Sequence, residues 1–174
     1  MTELAIADTS PLPPHVIRQL LEKLGVTYQA RHDQPGIPAA QRVQTVLLED
    51  AVGALLVLFP QNQLLDLNRL AELTGRKLTA VKPERLKRML GKHDLAMLPG
   101  IPALTSSPCL YDERLLDVPS LYIQSGQPGV LLELGTEAFK GLLGKASAAR
   151  FGEPASKVRP NFSRPEDDRQ EISQ

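Results

Sequence analysis

The segment QRVQTVLLEDAVGALLVLFP, residues 41–60, contains two apolar stretches separated by a short polar stretch. The first stretch alternates and is rich in β-branched residues, and the second is apolar on both faces, which is typical of two buried strands. The residues between them, EDAVG, predict a turn, so the whole segment predicts a β-hairpin. Gln44 interrupts the pattern because period-2 alternation places it on the same face as Val46 and Leu48. Gln44 is therefore predicted to lie either at a strand end near water or in the wall of a pocket.

The sequence on both sides of this hairpin predicts helices and further strands. Apolar spacing, together with glycine, proline or aspartate at the ends, predicts helices near residues 14–24, 66–74, 83–91 and 136–143. Strands are predicted at residues 26–32, 77–81, 109–113 and on both sides of the turn 125–129. This order predicts a mixed α/β fold with many hairpins rather than a doubly wound parallel sheet.

The length of 174 residues suits one domain with a proper core and some surplus chain. We divide it into an N-terminal segment (1–12), a folded domain (13–143) and a C-terminal segment (144–174). The last segment mixes prolines with charges of both signs and has few apolar residues, so it is predicted to be a disordered tail.

The charge balance limits the classes of partner. The 20 basic residues equal the 20 acidic ones, so a nucleic acid would have to be bound locally rather than by an overall positive field. The longest apolar run, residues 53–60, is too short to span a membrane, and the N-terminus does not have the pattern of a signal peptide. A cytoplasmic protein without a membrane partner is expected. The single Cys109 agrees with a reducing compartment and is predicted to be a small buried hydrophobic residue.

No motif for a nucleotide, a metal or a nucleophilic serine is present in the sequence, so no cofactor and no metal site are predicted. Two loops are candidates for a site. The segment 94–108 is unusually apolar and proline-rich, which suits either a pocket wall or a structural loop. The turn 125–129, SGQPG, suits either phosphate binding or a simple hairpin turn. The basic cluster of Arg85, Lys87 and Arg88 is interpreted as a solvated helix face.

The segments DLNRLAELTGRKL, YDERLL and the turn with Gly126 and Gly129 before VLLEL resemble the YbaK/ProX family of aminoacyl-tRNA deacylases. The resemblance extends from about residue 13 to residue 143. It implies a single α/β domain with a mixed, largely antiparallel sheet that closes toward a barrel with surrounding helices. It also implies hydrolysis of mischarged amino acids from the tRNA 3′ end.

The resemblance also implies which residues form the pocket. The family's pocket lysine corresponds to Gln44, so a neutral amide replaces an ammonium group at the candidate catalytic position. In the family's loop of one glycine, two spacers and two prolines, Ala96 replaces the glycine and Gly100 the second proline, and in the last turn Gln124 replaces a serine. The substrate-binding positions implied are His32, Pro99, Gly100, Ile101, Pro102, Ser125, Gly126 and Gly129.

Three functions fit these observations. The first is a trans-editing hydrolase that acts on the aminoacyl-tRNA 3′ end. The second is a binding or regulatory module that has lost its chemistry, because Gln44, Ala96 and Gln124 all depart from the family pattern, and that acts with a synthetase or a signalling protein. The third is a domain that retains only the fold. The sequence leaves the preferred amino acid, the tRNA and the oligomeric state open.

Overall fold

The computed structural model describes residues 10–154. Its helices are α1 (His15–Leu24), α2 (Leu67–Thr74), α3 (Pro83–Gly91), α4 (Pro102–Thr105) and α5 (Thr136–Leu143), with short 3-10 helices at Ala39–Gln41 and Glu113–Asp117. The strands are β1 (Gln29–His32), β2 (Val43–Glu49), β3 (Ala54–Pro60), β4 (Gln63–Leu65), β5 (Thr79–Ala80), β6 (Cys109–Asp112), β7 (Ser120–Gln124), β8 (Val130–Gly135), β9 (Ser147–Ala149) and β10 (Gly152–Pro154).

The predicted hairpin is confirmed. β2 and β3 pair antiparallel from Val43 opposite Pro60 to Glu49 opposite Ala54. The turn between them is closed by a hydrogen bond from the Asp50 amide to the Gly53 carbonyl at 3.0 Å. Asp50 also accepts two hydrogen bonds from Arg76, at 2.8 and 2.7 Å, so the turn is held to the end of α2 as well as to itself.

The strands form a mixed α/β fold with three sheets. A five-stranded sheet has the order β5-β2-β3-β6-β9, a three-stranded sheet has the order β1-β8-β7, and β10 pairs with β4. Most pairs are antiparallel, whereas β6 is parallel to both β3 and β9. The predicted closure toward a barrel does not occur as a closed sheet in the described residues. The two larger sheets are joined by one isolated parallel bridge, between Arg42 and Tyr122.

The helices begin and end where the sequence predicts. Asp66 caps α2 by accepting a hydrogen bond from the Arg69 amide at 3.0 Å, and Gly75 ends the helix with a left-handed φ of 69°. α1 packs on the larger of two apolar clusters, which also contains the inner faces of β7, β8 and α5. The smaller cluster lies on the other face of the β2–β3 hairpin and includes Phe59, Leu70 and Phe151.

The predicted start of a tail at residue 144 requires correction, because β9 and β10 extend the fold to residue 154. β9 adds a parallel edge strand to β6, and β10 pairs with β4. The buried carboxylate of Asp112 accepts hydrogen bonds from the amides of Phe151 and Gly152 at 3.2 and 3.0 Å. These contacts are distant in sequence, so residue composition alone does not reveal them. The rest of the predicted tail, residues 155–174, and residues 1–9 lie outside the described residues.

The apolar loop predicted at residues 94–108 contains a helical turn, α4. Pro102 begins α4, and the preceding Ile101 is fully buried against the larger cluster. The loop is therefore part of the core wall rather than a surface connection. Within residues 10–154, no helix combines the length and the apolar composition that crossing a membrane requires.

Candidate active site

The loop that follows α3 is fixed to the turn between β7 and β8 by backbone hydrogen bonds. The amides of Ala96 and Met97 donate to the Gly126 carbonyl at 2.9 and 3.3 Å, and the amide of Gly100 donates to the Gln124 carbonyl at 3.2 Å. Proline has no amide hydrogen, so glycine at position 100 permits a bond that the family's second proline would remove. The loop and the turn therefore form one hydrogen-bonded unit.

Two glycines allow this close approach. Gly126 has a left-handed φ of 98°, and a Cβ atom on it would lie 2.8 Å from Cδ2 of Leu95. A Cβ atom on Gly100 would lie 3.1 Å from Cβ of Ile123 and 3.2 Å from Oγ1 of Thr45. The loop backbone at Gly100 therefore packs closely against Ile123 of β7 and Thr45 of β2.

Thr45 and Gln44 lie on opposite faces of β2. The Thr45 side chain faces the loop, and its Oγ1 is buried with no hydrogen-bond partner among the described residues. Buried hydroxyl groups are usually paired, so Thr45 is unusual among the described residues. Gln44 is exposed near the beginning of the strand, on the face that carries Val46 and Leu48. Of the two alternatives for Gln44, the structure places it at the strand end near water.

The β7–β8 turn carries further predicted residues. Ser125 is fully buried, and its hydroxyl donates to the Gln127 carbonyl at 3.4 Å while it accepts from the Gln127 amide at 3.3 Å. The Ser125 hydroxyl therefore shapes the turn. Gly129 has a left-handed φ of 83°, and its carbonyl accepts a hydrogen bond from the Asp33 amide at 2.9 Å. His32, the residue before Asp33, ends β1 next to this turn.

The predicted substrate-binding residues consequently separate into groups. Pro99, Gly100, Ile101 and Pro102 are buried in the loop and the start of α4, in contact with the β7–β8 unit. Ser125, Gly126 and Gly129 form the turn, and His32 lies at the same end of the three-stranded sheet. Gln44 is separate from both groups, because its side chain lies on the face of β2 that points away from the loop.

A cavity of about 580 Å³ opens beside this unit. Its wall consists of residues 14–16 at the start of α1, residues 92–94 after α3, and Ala96, Gly126 and Gln127. Sequence reasoning missed the polar part of this wall, which contains His15, Lys92, His93 and Asp94. The available signal was the polar segment KHD, placed between the glycine that ends α3 and the apolar loop.

A second cavity of about 160 Å³ lies on the other side of the same polar segment. It shares Lys92 and His93 with the larger cavity, and the rest of its wall is mainly apolar, with Leu86, Met89 and Leu98 among the lining residues. The two cavities therefore meet at the residues that follow α3.

The described residues offer no obvious side-chain nucleophile here. Burial raises the pKa of the Cys109 thiol to about 12, so the thiol stays protonated at neutral pH and Cys109 is the buried residue that the sequence predicts. No group of three or more His, Cys, Asp or Glu side chains in residues 10–154 could hold a metal ion.

Comparison with solved structures supports the fold. A candidate signal transduction protein from Marinobacter aquaeolei VT8 is 27% identical with a TM-score of 0.70; the match covers 82% of this chain but 31% of that chain. A candidate trans-editing enzyme for prolyl-tRNA synthetase is 24% identical with a TM-score of 0.67, covering 82% of this chain and 99% of that chain. The hypothetical protein APE2540 is 19% identical with a TM-score of 0.67, covering 79% and 99% of the two chains.

No curated protein matches this sequence significantly. The sequence model of the aminoacyl-tRNA editing domain, however, matches residues 22–142, which include the loop, the β7–β8 turn and β2. The match covers well over half of the chain and agrees with the resemblance to YbaK/ProX proteins. This chain therefore belongs to the family of aminoacyl-tRNA editing domains of the YbaK/ProX type.

Proposed function

We propose that this chain hydrolyses the aminoacyl ester of mischarged tRNA in trans. The observation that supports this most directly is the loop of residues 96–101, which is fixed by backbone hydrogen bonds to the β7–β8 turn at the edge of the larger cavity. The cavity volume of about 580 Å³ lies within the range usual for small-molecule sites. The terminal aminoacylated nucleoside of a tRNA is a ligand of this size class.

The chemistry proposed uses no protein nucleophile. Water attacks the ester carbonyl, the ribose hydroxyl of the substrate assists, and the oxyanion that forms is stabilised by positioned hydrogen-bond donors. The Thr45 hydroxyl lies next to Gly100 and has no partner in the described part of the chain, so it would become a donor to a substrate that displaces the loop above it. Gln44, at the family's lysine position, lies on the opposite face of β2 from Thr45, so it would donate only to a part of the substrate that reaches that face. An amide forms a weaker interaction with an anion than an ammonium does.

The test is a deacylation time course with tRNAs charged with alanine, proline or cysteine. The natural protein is compared with Gln44→Lys, which restores the family's ammonium, and with Gln44→Met, which keeps the length but removes the amide. Gln44 is exposed, so neither change should affect folding. We expect slow turnover by the natural protein, faster turnover by Gln44→Lys and slower turnover by Gln44→Met. If all three proteins match the uncatalysed rate, the proposal is wrong.

A second candidate is a binding or regulatory module. Two observations favour it: position 44 has lost its charge, and this chain matches 31% of a longer protein described as a candidate for signal transduction. This candidate predicts that the natural protein binds the acceptor end of uncharged tRNA without hydrolysing a charged one. Turnover that appears in Gln44→Lys alone would support the module over the enzyme.

A further inference from the structure

The positive charges without a carboxylate partner are concentrated around α3. Eight basic side chains in residues 10–154 lie within 4 Å of a carboxylate oxygen: Arg31, Arg42, Arg69, Arg76, Arg85, Arg114, Lys140 and Arg150. The other eight in these residues have no such pair within the described part of the chain: five exposed residues near α3 (Lys77, Lys82, Lys87, Arg88 and Lys92), and Arg18, Lys23 and Lys145 elsewhere. Residues 77–94 contain six basic and two acidic residues, although the whole chain is neutral.

These charges lead to the larger cavity. Arg88 and Lys92 are four residues apart, so they are neighbours along one face at the end of α3. Lys92 and His93 line the cavity, and His15 at the start of α1 lines it as well. The basic face of α3 therefore continues into the cavity wall, where Lys92 and two histidines come from two separate segments.

The remaining polar groups of the cavity define the ligand class. Asp94, which has a left-handed φ of 59°, is its one carboxylate lining residue, and Gln127 contributes an amide. A carboxylate repels a simple phosphate ion but accepts hydrogen bonds from the hydroxyl groups of a ribose. A wall that contains one lysine, two histidines, one carboxylate and one amide thus suits a nucleotide that presents both phosphate and ribose.

We propose that Arg88, Lys92, His15 and His93 form the binding surface for the phosphates of an RNA acceptor end, with its terminal ribose in the larger cavity. This rests on the proposed function and adds the surface that positions the RNA. An anionic membrane is the less suitable partner, because a membrane-binding surface needs apolar side chains that insert between lipids. The large exposed apolar side chains, Leu12, Leu24, Val52, Leu64, Leu67 and Leu73, all lie outside residues 77–94.

The experiment measures binding of an acceptor-stem RNA hairpin that carries no amino acid, by fluorescence anisotropy between 50 and 300 mM salt. The variant is Arg88→Gln/Lys92→Gln, and the matched control is Lys23→Gln/Lys145→Gln. The control removes the same charge at two exposed lysines that have no ion pair in the described residues and do not line the larger cavity. Thermal unfolding checks that all proteins are folded.

We expect the Arg88/Lys92 variant to bind the hairpin about tenfold or more weakly near 0.1 M salt and to lower the salt slope by about 1.5, since each lost phosphate contact removes about 0.7–0.9. The control variant should change neither quantity. The charge-conserving Arg88→Lys/Lys92→Arg variant should retain the salt slope. Equal losses of hairpin affinity in the variant and the control, or no loss of affinity in either, would overturn the assignment of this surface.

Two further arms separate the alternatives. Adenosine monophosphate that binds as tightly as the hairpin, with no sensitivity to Arg88, would overturn the RNA assignment in favour of a free nucleotide. Binding to phosphatidylserine vesicles, but not to the hairpin, would overturn it in favour of a membrane. Because the hairpin carries no amino acid, its binding does not depend on turnover. If the Arg88/Lys92 variant binds RNA normally and still deacylates, only the proposed RNA-binding surface is rejected. If the natural protein binds the hairpin but does not deacylate charged tRNA, only the proposed hydrolase activity is rejected.

Discussion

Replacing Asp112 by alanine should destabilise the protein strongly, because its buried carboxylate connects β6 to the last described strand. Oδ2 accepts hydrogen bonds from the amides of Phe151 and Gly152 and from Nη1 of Arg114, and Oδ1 accepts from the Arg114 amide at 3.0 Å. Asp112→Ala leaves the two buried amides of residues 151 and 152 without an acceptor. Each costs about 1–3 kcal/mol, so a loss of about 4 kcal/mol in the free energy of unfolding is expected. This corresponds to a decrease in Tm of roughly 10 °C for a chain of this size.

Urea unfolding followed by circular dichroism measures this loss, with Asp117→Ala as the control. Asp117 is exposed, so its replacement should change the free energy of unfolding by no more than about 0.5 kcal/mol. A second variant, Phe151→Ala, removes the ring that fills the smaller cluster and should cost about 3–5 kcal/mol. If Asp112 acts by holding Phe151 in place, the double variant should lose less than the sum of the two. A loss below about 1 kcal/mol for Asp112→Ala, or full additivity, would refute this reasoning.

Two further predictions concern the turns. The hydrogen bonds from Arg76 hold the pKa of the Asp50 carboxyl well below its usual range. This pair therefore stabilises the fold fully above the unfolded-state pKa of aspartate, about 4, and its contribution decreases progressively as the pH falls from there through the lowered folded-state pKa. Arg76→Gln should therefore destabilise the protein more at pH 7 than at pH 3 in urea unfolding, and an equal effect at both values would contradict this. Gly126→Ala should cost about 1–3 kcal/mol, since it combines backbone strain with a contact to Leu95, whereas Gly129→Ala meets no atom within 4 Å and should cost less. Equal costs for the two glycine variants would show that Leu95 adjusts without penalty.

The sequence predicts those parts of the fold whose signals are local. The β2–β3 hairpin follows from alternation and a polar turn, and α2 and α3 follow from Asp66, Gly75 and Pro83 at their ends. Each of these signals lies within the element that it specifies. The same local rules fail for β9 and β10, which are three residues long and have little strand pattern of their own. They form because distant groups, above all the Asp112 carboxylate, supply the partners for their backbone.

The candidate site divides in the same way. The sequence identifies the loop and the β7–β8 turn, because prolines and glycines mark them and the resemblance to the family assigns both segments to the pocket. It does not identify the cavity, because His15 and His93 come from separate segments that only the packing of α1 beside residues 92–94 brings together. It also does not identify Thr45, because a hydroxyl in a strand carries no sign that it will lack a partner after folding.

The magnitude of the effect at position 44 decides between the enzyme and the binding module. Removal of one well-placed donor to an oxyanion lowers turnover by about 10²–10³, and the other donors retain the rest of the catalysis. If the other donors remain in place, replacing a lysine by Gln44 should therefore slow an editing enzyme by up to this factor without abolishing its activity. A Gln44→Lys variant that exceeds the natural protein by up to about 10³, with measurable natural turnover, is the result expected of an enzyme that has lost one interaction. A natural protein at the uncatalysed rate, beside an active Gln44→Lys variant, would show that the other donors are insufficient alone, because the charge at position 44 would then account for all of the catalysis.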